Sequence, residues 1–428
     1  MINILSKTKY WAVAALALAA ISTTFTACKK DDDKAGALTV TSIKAGGRDI
    51  NSSTAPQDVP VGSNIVIRFN RNVNAVTATS SNVTLFDSRN AAVATDVTAA
   101  GDSVVVNPKA DLALGSNFTL KIATGLKASD GGVLASEVSR QFKAYGPANI
   151  DPPQLATQTA YWNFNNTVIP TAGAFNVSYN KNSFAKDRFG FDNSAAYFNG
   201  VDDIIEVDNG RALLTTKTTI SYWVKFDTAG SPQGDFVMGL NLSRGFVFEF
   251  FDKFNGLKQA ASFEAVRPTR RDTVTDDLFT NGDGGMKDNG GWQGWEFAKL
   301  YPAAQGGIKA VLKDKWVHVI STFEPSTTRW TLYINGEKAK VVKWDLWPTG
   351  DAQQFVTGYL PRVNSAFSSK LAFGFGQARD SKFENPGYGN FDIAGNNHFK
   401  GWLDDVRFLN ATFSDADAAA LYNAERVK

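Results

Sequence analysis

Short runs of alternating apolar and polar residues follow one another through the first third of the chain, from Leu38 to Phe142. Gly, Asn, Asp and Ser separate these runs, and no stretch keeps a helical period long enough to compete. Because successive side chains of a strand point to opposite faces, the alternation predicts half-buried strands of a β-sandwich. The predicted strands cover residues 39–43, 64–69, 82–86, 103–106, 117–122 and 138–142.

A change of composition divides the chain after this region. Residues 144–158 include Pro147, Pro152 and Pro153 and few apolar residues. Proline fixes the backbone and removes a hydrogen-bond donor, so this segment is predicted to be a stiff linker between two domains. The expected domains are residues 38–143 and residues 159–428.

Two local signals mark elements of the second domain. Residues 330–334 alternate and lead into Asn335-Gly336, a pair that accepts the positive φ angles of a type I′ turn, so a β-hairpin is predicted. Ser414 followed three residues later by Asp417 predicts a capped helix near the end of the chain. We therefore expect an all-β protein with one closing helix.

Residues 231–308 differ from the rest of the second domain in being rich in glycine. Glycines flank Trp292 and Trp295, which favours a loop over a strand. Exposed indole rings would stack on sugar faces, with Asp276 or Asp283 accepting hydrogen bonds from sugar hydroxyls. Rings folded back would instead form a satellite core. A second pair with the same two alternatives is Trp344 and Trp347.

The carboxylates and histidines offer little for catalysis. A glycoside hydrolase needs two carboxyl groups facing one sugar, and the nearest pair, Glu249 and Asp252, would point to opposite faces of a strand. His318 and His398 are the only histidines, too few for a typical zinc site. We predict that the protein is not an enzyme; a glycoside hydrolase is the alternative.

Asp404, the first residue of the pair Asp404-Asp405, needs a partner that compensates its charge. By strict alternation Asp404 shares a face of its strand with Val406 and Phe408, among apolar neighbours. A carboxylate in that position must be satisfied by backbone donors, an arginine or a cation. The sequence leaves these alternatives open.

The first 27 residues have the pattern of a signal peptide. Lysines precede an apolar run over residues 10–21 that is too short to span a bilayer. Cys28 follows this segment and is the only cysteine, so it has no partner for an internal disulfide. We predict that Cys28 is lipidated and that residues 28–37 form an acidic tether.

The charge of the chain excludes one class of partner. Its 428 residues carry 44 Lys and Arg against 42 Asp and Glu, so no overall field attracts a polyanion. Nucleic acid is therefore not an expected partner.

The residues around Cys28 carry a family resemblance. Phe25-Thr26-Ala27-Cys28 resembles a bacterial lipobox, with Phe25 where leucine is usual. Lys29-Lys30-Asp31-Asp32-Asp33 is similar to the export signal of surface lipoproteins of Bacteroidetes. The resemblance implies a lipid anchor in the outer membrane and exposure at the cell surface.

Three motifs of the first domain occur in a characteristic order. They are Val59-Pro60-Val61-Gly62, Ile67-Arg68-Phe69-Asn70-Arg71-Asn72-Val73 and Leu114-Gly115-Ser116-Asn117-Phe118. Together they resemble the bacterial Ig-like domain of the SbsA type, which implies a sandwich that serves as a spacer.

The second domain carries a longer series of motifs. They include Tyr161-Trp162-Asn163-Phe164-Asn165, Ala195-Ala196-Tyr197-Phe198-Asn199-Gly200, Trp316-Val317-His318-Val319 and Gly401-Trp402-Leu403-Asp404-Asp405-Val406. In this order they resemble laminin-G-like, concanavalin A-like domains, which implies a jelly-roll sandwich. Some such domains bind calcium, so the resemblance implies either a structural Ca²⁺ near Asn165, Asp404 and Asp405 or a hydrogen-bonded Asp404 without metal.

These observations favour a non-catalytic binding lipoprotein, with a glycan as the first choice of ligand. An adhesive or structural protein that binds another surface protein is the alternative. Two carboxyl groups converging in one groove would instead favour a hydrolase.

Replacing Cys28 with Ser is expected to abolish acylation and membrane association and to leave the folded domains intact, because the chain offers no other cysteine for a lipid. Phase partition into detergent measures this. Equal partition of the Cys28→Ser and parent proteins would contradict lipidation at Cys28.

Overall fold

A computed structural model describes most of the chain outside the N-terminal segment. The described residues are 36–52, 54–88, 90–146, 150–227, 234–251, 256–281 and 295–427. The predicted signal peptide, Cys28, Asp283 and Trp292 lie outside these residues. No helix within the described ranges has the length and apolar character that a bilayer crossing requires.

The N-terminal region folds into two antiparallel sheets. One has the strand order β2-β1-β3-β6-β5 and the other β4-β7-β8, and they enclose one apolar core. The strands are β1 Val40–Ala45, β2 Arg48–Asp49, β3 Ile65–Phe69, β4 Val83–Phe86, β5 Thr95–Ala100, β6 Ser103–Pro108, β7 Asn117–Ile122 and β8 Val138–Lys143.

All six strands predicted in this region are confirmed within two residues at each end. The sequence analysis missed β2 and β5, the two edge strands of the five-stranded sheet. Both residues of β2 are exposed, and Val97 and Ala99 of β5 are only partly buried against the core, so neither strand has a strong apolar periodicity. Their position at the edge of the sheet accounts for the lack of a clear alternation in the sequence.

The rest of the chain forms a second, larger pair of antiparallel sheets. An eight-stranded sheet has the order β10-β13-β24-β15-β16-β17-β18 with β23 beside β17, and a nine-stranded sheet has the order β11-β12-β25-β14-β20-β21-β22-β19 with β9 beside β25. The strands are β9 Gln158–Trp162, β10 Val177–Lys181, β11 Ser183–Ala185, β12 Ala195–Asn199, β13 Ile204–Val207, β14 Thr218–Phe226, β15 Gly234–Leu240, β16 Phe246–Phe251, β17 Gly256–Val266, β18 Arg271–Asn281, β19 Trp295–Ala298, β20 Val317–Glu324, β21 Arg329–Ile334, β22 Glu337–Lys343, β23 Val356–Tyr359, β24 Leu371–Phe373 and β25 Lys400–Leu409. The α-helices are α1 Lys309–Leu312, α2 Pro386–Gly389 and α3 Asp415–Glu425.

The space between the two large sheets is filled by aromatic and aliphatic side chains. Trp162 packs edge-on against Phe373 and Phe408, and Phe263 packs against Trp330. Aromatic pairs in such orientations add to the gain from apolar burial. This core runs beneath nearly every strand of both sheets.

Within residues 231–308, which the sequence predicts to be an insertion, the loop expected around Trp295 is instead a strand. Strands β15 to β18 supply much of the eight-stranded sheet, and Trp295 begins β19 at the edge of the other sheet. The glycine content misled the analysis because it is concentrated in residues 282–294, which lie outside the described residues.

The predicted hairpin and closing helix are both present. Asn335 and Gly336 have φ angles of 52° and 75° in the turn between β21 and β22. Ser414 caps α3, and its side chain and that of Asp417 complete a capping box. Helix α3 lies on the outer face of the nine-stranded sheet, where Leu421 packs against Ile320 and Leu409.

The predicted orientation of Asp404 is wrong because β25 contains a β-bulge. The register with β14 shifts between Ser221 and Trp223, and Asp405 has a φ of 47°. The extra residue turns both Asp404 and Asp405 to the outer face, whereas the following Val406 faces the main core. The carboxylates therefore lie among polar partners.

Those partners form a buried ionic network beneath α3. Arg188 bridges the two carboxylates, with Nη1 2.7 Å from Asp404 Oδ2 and Nη2 2.6 Å from Asp405 Oδ2. Arg407 Nη1 lies 2.6 Å from Oε1 of Glu425, the last residue of the helix. All these side chains are buried, so each charge depends on its protein partners.

The pKa values of the two adjacent carboxyl groups, Asp404 and Asp405, are shifted in opposite directions. Burial, together with the neighbouring Asp405, raises the pKa of Asp404 well above its usual range. Burial also acts on Asp405, but Arg188 and Arg407 hold the pKa of Asp405 below its usual value. Two adjacent buried carboxylates repel each other, so a protonated Asp404 beside an ionised Asp405 is the arrangement that this site favours.

Arg188→Met is expected to destabilise the protein by about 3–5 kcal/mol, because it removes the arginine that bridges the buried Asp404 and Asp405 side chains. Urea denaturation at neutral pH measures the loss. Lys186→Met, at a side chain that is 68% exposed, is the control. A loss no larger than that of Lys186→Met would contradict the role of the network.

Candidate functional site

Two of the six predicted ligand-binding residues are buried together inside the protein. Trp344 is fully buried, and its indole Nε1 donates a hydrogen bond to Oδ2 of Asp276, which is also buried. Trp295 is half-buried, and the amine of Lys340 lies against its ring. Asp276 and Trp344 are therefore corrected to core residues, since a sugar has no access to a buried pair.

Lys340 is the centre of this internal cluster. Its Nζ lies 3.8 Å from the ring centre of Trp295 and 5.4 Å from that of Phe279. The residue is 1% exposed, and its amine has no hydrogen-bond partner among the described residues. Burial lowers the pKa of Lys340 to about 7, and Asp276 opposes this effect. Burial likewise raises the pKa of Asp276 to about 6.

The other predicted residues do not form an exposed aromatic site. Trp347 is half-buried and packs against the main core. Asp283 and Trp292 lie outside the described residues, so their predicted role in ligand binding stays a prediction.

Two of the three predicted calcium ligands are paired with an arginine. Asp404 and Asp405 are held by Arg188, and the Asn165 N–H faces Asn163 Oδ1. No group of three acidic, histidine or cysteine side chains in the described part of the chain is placed to hold a metal ion. Arg188 satisfies the Asp404 carboxyl group, and calcium near these residues stays a prediction.

His318 lies in a buried polar contact that does not suit nucleophilic catalysis. Its Nε2 is 2.8 Å from Ser221 Oγ and 3.8 Å from Glu425 Oε2. A catalytic triad uses one ring nitrogen for the nucleophile and the other for the acid, whereas here both partners face Nε2. Ser221 and His318 are also fully buried, and burial holds the pKa of His318 well below its usual value.

The outer face of the eight-stranded sheet carries another acidic pair. Glu249 lies 2.9 Å from Lys258 Nζ and accepts a hydrogen bond of 2.8 Å from the Tyr388 hydroxyl. Burial raises the pKa of Asp277, which the nearby Lys258 opposes. Lys258 thus interacts with both carboxyl groups and compensates their charge. Asp252, the sequence-predicted neighbour of Glu249, lies outside the described residues.

An open groove lies on the outer face of the nine-stranded sheet. This Phe297 groove has a volume of about 420 Å³ and is bordered by β19, by the β21–β22 hairpin and by the start of α3. Its lining residues are Glu296, Phe297, Thr322, Glu324, Thr327, Arg329, Thr331, Tyr333, Lys338, Val341, Thr412, Phe413 and Asp415.

Phe297 is exposed in this groove because β19 contains a bulge. The register with β22 shifts between Trp295, which faces Val342, and Phe297, which faces Val341. Val342 belongs to the main core and Val341 lines the groove, so the two aromatic rings of this short strand point to opposite faces. The sequence analysis expected a loop around Trp295 and therefore assigned no face to Phe297.

The polar side chains of the Phe297 groove are held by ion pairs. Arg329 binds both carboxylate oxygens of Glu296, at 2.7 and 2.9 Å. Lys338 Nζ lies 2.7 Å from Asp415 Oδ2 and 5.8 Å from the Phe297 ring centre. An aromatic face beside oriented charged groups is suited to a polar ligand that also carries apolar C–H surface.

A second groove lies at the tip of the hairpin. This Arg426 groove has a volume of about 440 Å³. Ile334 and Glu337 line this groove, whereas the preceding pair, Tyr333 and Lys338, lines the Phe297 groove. The other residues of the second groove are Lys299, Tyr301, Val311, Asn335, Gly336, Ala419, Tyr422, Asn423 and Arg426.

Lys340→Met is expected to stabilise the protein most at and below pH 7. The folded-state pKa of Lys340 lies below that of an unfolded lysine, so the cost of burying the amine is full below about pH 7. This cost shrinks by up to about 1.4 kcal/mol per pH unit as the pH rises towards about 10. Denaturant unfolding at several pH values measures the difference between variant and parent.

Lys313→Met, at a side chain that is 47% exposed, is the matched control. A stability difference for Lys340→Met that is independent of pH above neutrality would show that the buried amine does not titrate in this range.

Comparison with known proteins identifies the first domain. Residues 48–144 match the family of the bacterial Ig-like domain. No curated protein matches the chain. Among solved structures, similarity extends to the binding domain of botulinum neurotoxin serotype D/C, with 15% identity and a TM-score of 0.37 over 63% of this chain and 53% of that one. The serotype D binding domain has 14% identity and a TM-score of 0.38 over 63% and 51%.

The chain thus spans about half the length of these toxin domains. The family match and the observed sheets agree on the fold class that the sequence predicted. The protein is all-β, with an N-terminal domain similar to bacterial Ig-like domains followed by a larger β-sandwich.

Proposed function

We propose that this protein is a non-catalytic lipoprotein of the outer membrane that binds glycans at the cell surface through its second domain. The N-terminal Ig-like domain then serves as a spacer between the lipid at Cys28 and the binding domain. The observation that carries the proposal is the Phe297 groove, an open site that combines one exposed aromatic ring with oriented charged groups.

The composition of the groove suits a sugar better than an apolar surface. Pyranose rings present C–H groups on their faces and hydroxyls at their edges, and protein sites match them with an aromatic face and with planar polar groups. Phe297 is 41% exposed and supplies the aromatic face. The Arg329–Glu296 pair and the Thr331 hydroxyl supply donors and acceptors.

The resemblance of the second domain to laminin-G-like, concanavalin A-like domains supports the same proposal, since that family includes sugar-binding members. A protein ligand is the alternative. It would favour a flat apolar patch, whereas the Phe297 groove is concave and lined by charges.

Phe297→Ala is expected to lower the affinity for glycan by about 1–3 kcal/mol, because the ring is the exposed apolar contact of the groove. The purified Cys28→Ser protein would first be screened on a glycan array. The affinity of the variant for the tightest-binding oligosaccharide is then measured by calorimetry, together with its thermal midpoint.

The control is Leu346→Ala, at a side chain that is 52% exposed and does not line the groove. Unchanged affinity in Phe297→Ala would exclude this groove as the site. An array without any bound oligosaccharide would contradict glycan binding and favour a protein ligand.

A further inference from the structure

The floor of the Phe297 groove contains a row of residues from four neighbouring strands. In the strand pairing, Phe297 of β19 lies beside Val341 of β22. Val341 lies beside Thr331 of β21, which in turn lies beside Thr322 of β20. All four residues line the groove, and none of their side chains is charged. Because adjacent strands are about 4.8 Å apart, the uncharged row is about 14 Å long.

Two ion pairs border this row, one on each side along the strands. On one side, Arg329 holds Glu296 through two hydrogen bonds of 2.7 and 2.9 Å. On the other side, Lys338 Nζ lies 2.7 Å from Asp415 Oδ2, and the Tyr333 hydroxyl donates to Asp415 Oδ1. Both cations of the lining are thus already engaged by carboxylates of the same groove.

The third carboxylate of the lining, Glu324, is compensated from outside the groove. Lys217 Nζ lies 3.2 Å from Glu324 Oε2. Burial acts to raise the pKa of Glu324, but hydrogen bonds, chiefly from Ser326, lower it to about 2. The hydrogen bond from its arginine partner also lowers the pKa of Glu296. Burial opposes the ionisation of Asp415, but hydrogen bonds from its two partners lower its pKa as well. The three carboxylates are therefore ionised at neutral pH, and their three cationic partners balance them.

The Thr331 hydroxyl lies at the middle of the uncharged row. Thr331 is 7% exposed, and none of the described residues forms a hydrogen bond with its hydroxyl. The neighbouring Thr322 hydroxyl, by contrast, is engaged by the Thr219 hydroxyl and the N–H of Phe413. A hydroxyl can both donate and accept, and a buried one is stabilised by any partner that reaches it. Thr331 thus offers a hydrogen bond to a ligand hydroxyl at the floor of the groove.

We propose that the Phe297 groove selects an uncharged sugar residue, with the sugar ring against Phe297 and one of its hydroxyls bonded to Thr331 as the specificity-determining contact. The inference rests on the proposed glycan binding and adds the ligand class and the residue that selects it. A uronic acid or a sulfated sugar would bring its anion among carboxylates whose cations are already engaged, which is unfavourable. The hydroxyls of a neutral sugar instead use the remaining acceptor and donor sites of the ion pairs.

The first test varies the charge of the ligand on a constant backbone. The probes are hexamers of β-linked glucose, mannose and galactose, each with a counterpart oxidised at C6 to the uronate. Calorimetry with the purified Cys28→Ser protein is expected to show binding of a neutral hexamer and at least about tenfold weaker binding of its uronate, because like charges repel. The affinity for the neutral hexamer should not change between about 0.05 and 0.5 M NaCl, since the ligand forms no ion pair.

Thr331→Val is expected to weaken binding of the neutral hexamer about two- to tenfold, because it removes one hydrogen bond and nearly keeps the shape of the side chain. Thr331→Ser, which retains the hydroxyl, should bind the hexamer as the parent protein does. Thr273→Val, at an exposed position of β18 in the other sheet, is the matched control. Thermal midpoints show whether each variant is folded.

The outcomes separate this inference from the proposed function. Equal or tighter binding of a uronate would overturn the selection of an uncharged sugar while leaving glycan binding intact. Unchanged affinity in Thr331→Val, or an equal loss in Thr331→Ser, would overturn the role of Thr331. If no hexamer binds, acidic glycans among those bound on the array would overturn the inference, whereas neutral glycans alone would support it. An array without any bound glycan would overturn the proposed function as well.

Discussion

The second domain depends on a set of charges buried between the nine-stranded sheet and α3. Arg188 reaches both carboxylates of the β25 bulge and also donates to the backbone oxygen of Glu425. Glu425 in turn accepts from the Trp223 indole and pairs with Arg407. Removing any one member leaves a buried charge or donor unpaired, so the network fixes the helix to a single position on the sheet.

The position of α3 shapes both grooves. The helix forms one wall of each, through Asp415 at its start and Arg426 just past its end. It is anchored at its end by Glu425, whose side chain is fully buried, and at its start by the bond from the Tyr333 hydroxyl to Asp415. The buried network therefore acts on the two grooves indirectly, by holding the helix wall of each in place.

Much of the fold follows from local patterns, and one error lies at a bulge. Alternation located the strands of the first domain, and the Asn335-Gly336 turn and the capping box of α3 were evident from the sequence. Alternation assumes a regular strand, so the bulge at Asp405 reversed the face predicted for Asp404. The partners of Asp404 and Asp276 were also hidden, because Arg188 and Trp344 are distant in sequence and meet them only in the folded sandwich.

Trp295 and Phe297 differ in how accessible their rings are to a ligand. This difference explains why the tryptophans selected from the sequence are poor candidates for the binding site. An aromatic ring can bind a ligand only if the fold leaves one of its faces open, and one face of the half-buried Trp295 ring is occupied by the Lys340 amine. Phe297, two residues later, is exposed beside side chains whose geometry is already set by ion pairs. Such side chains lose little further freedom when a ligand arrives, so less of the interaction energy is spent on ordering them. The Phe297 groove is thus favoured as a binding site by the fixed conformations of its charged side chains as much as by its aromatic ring.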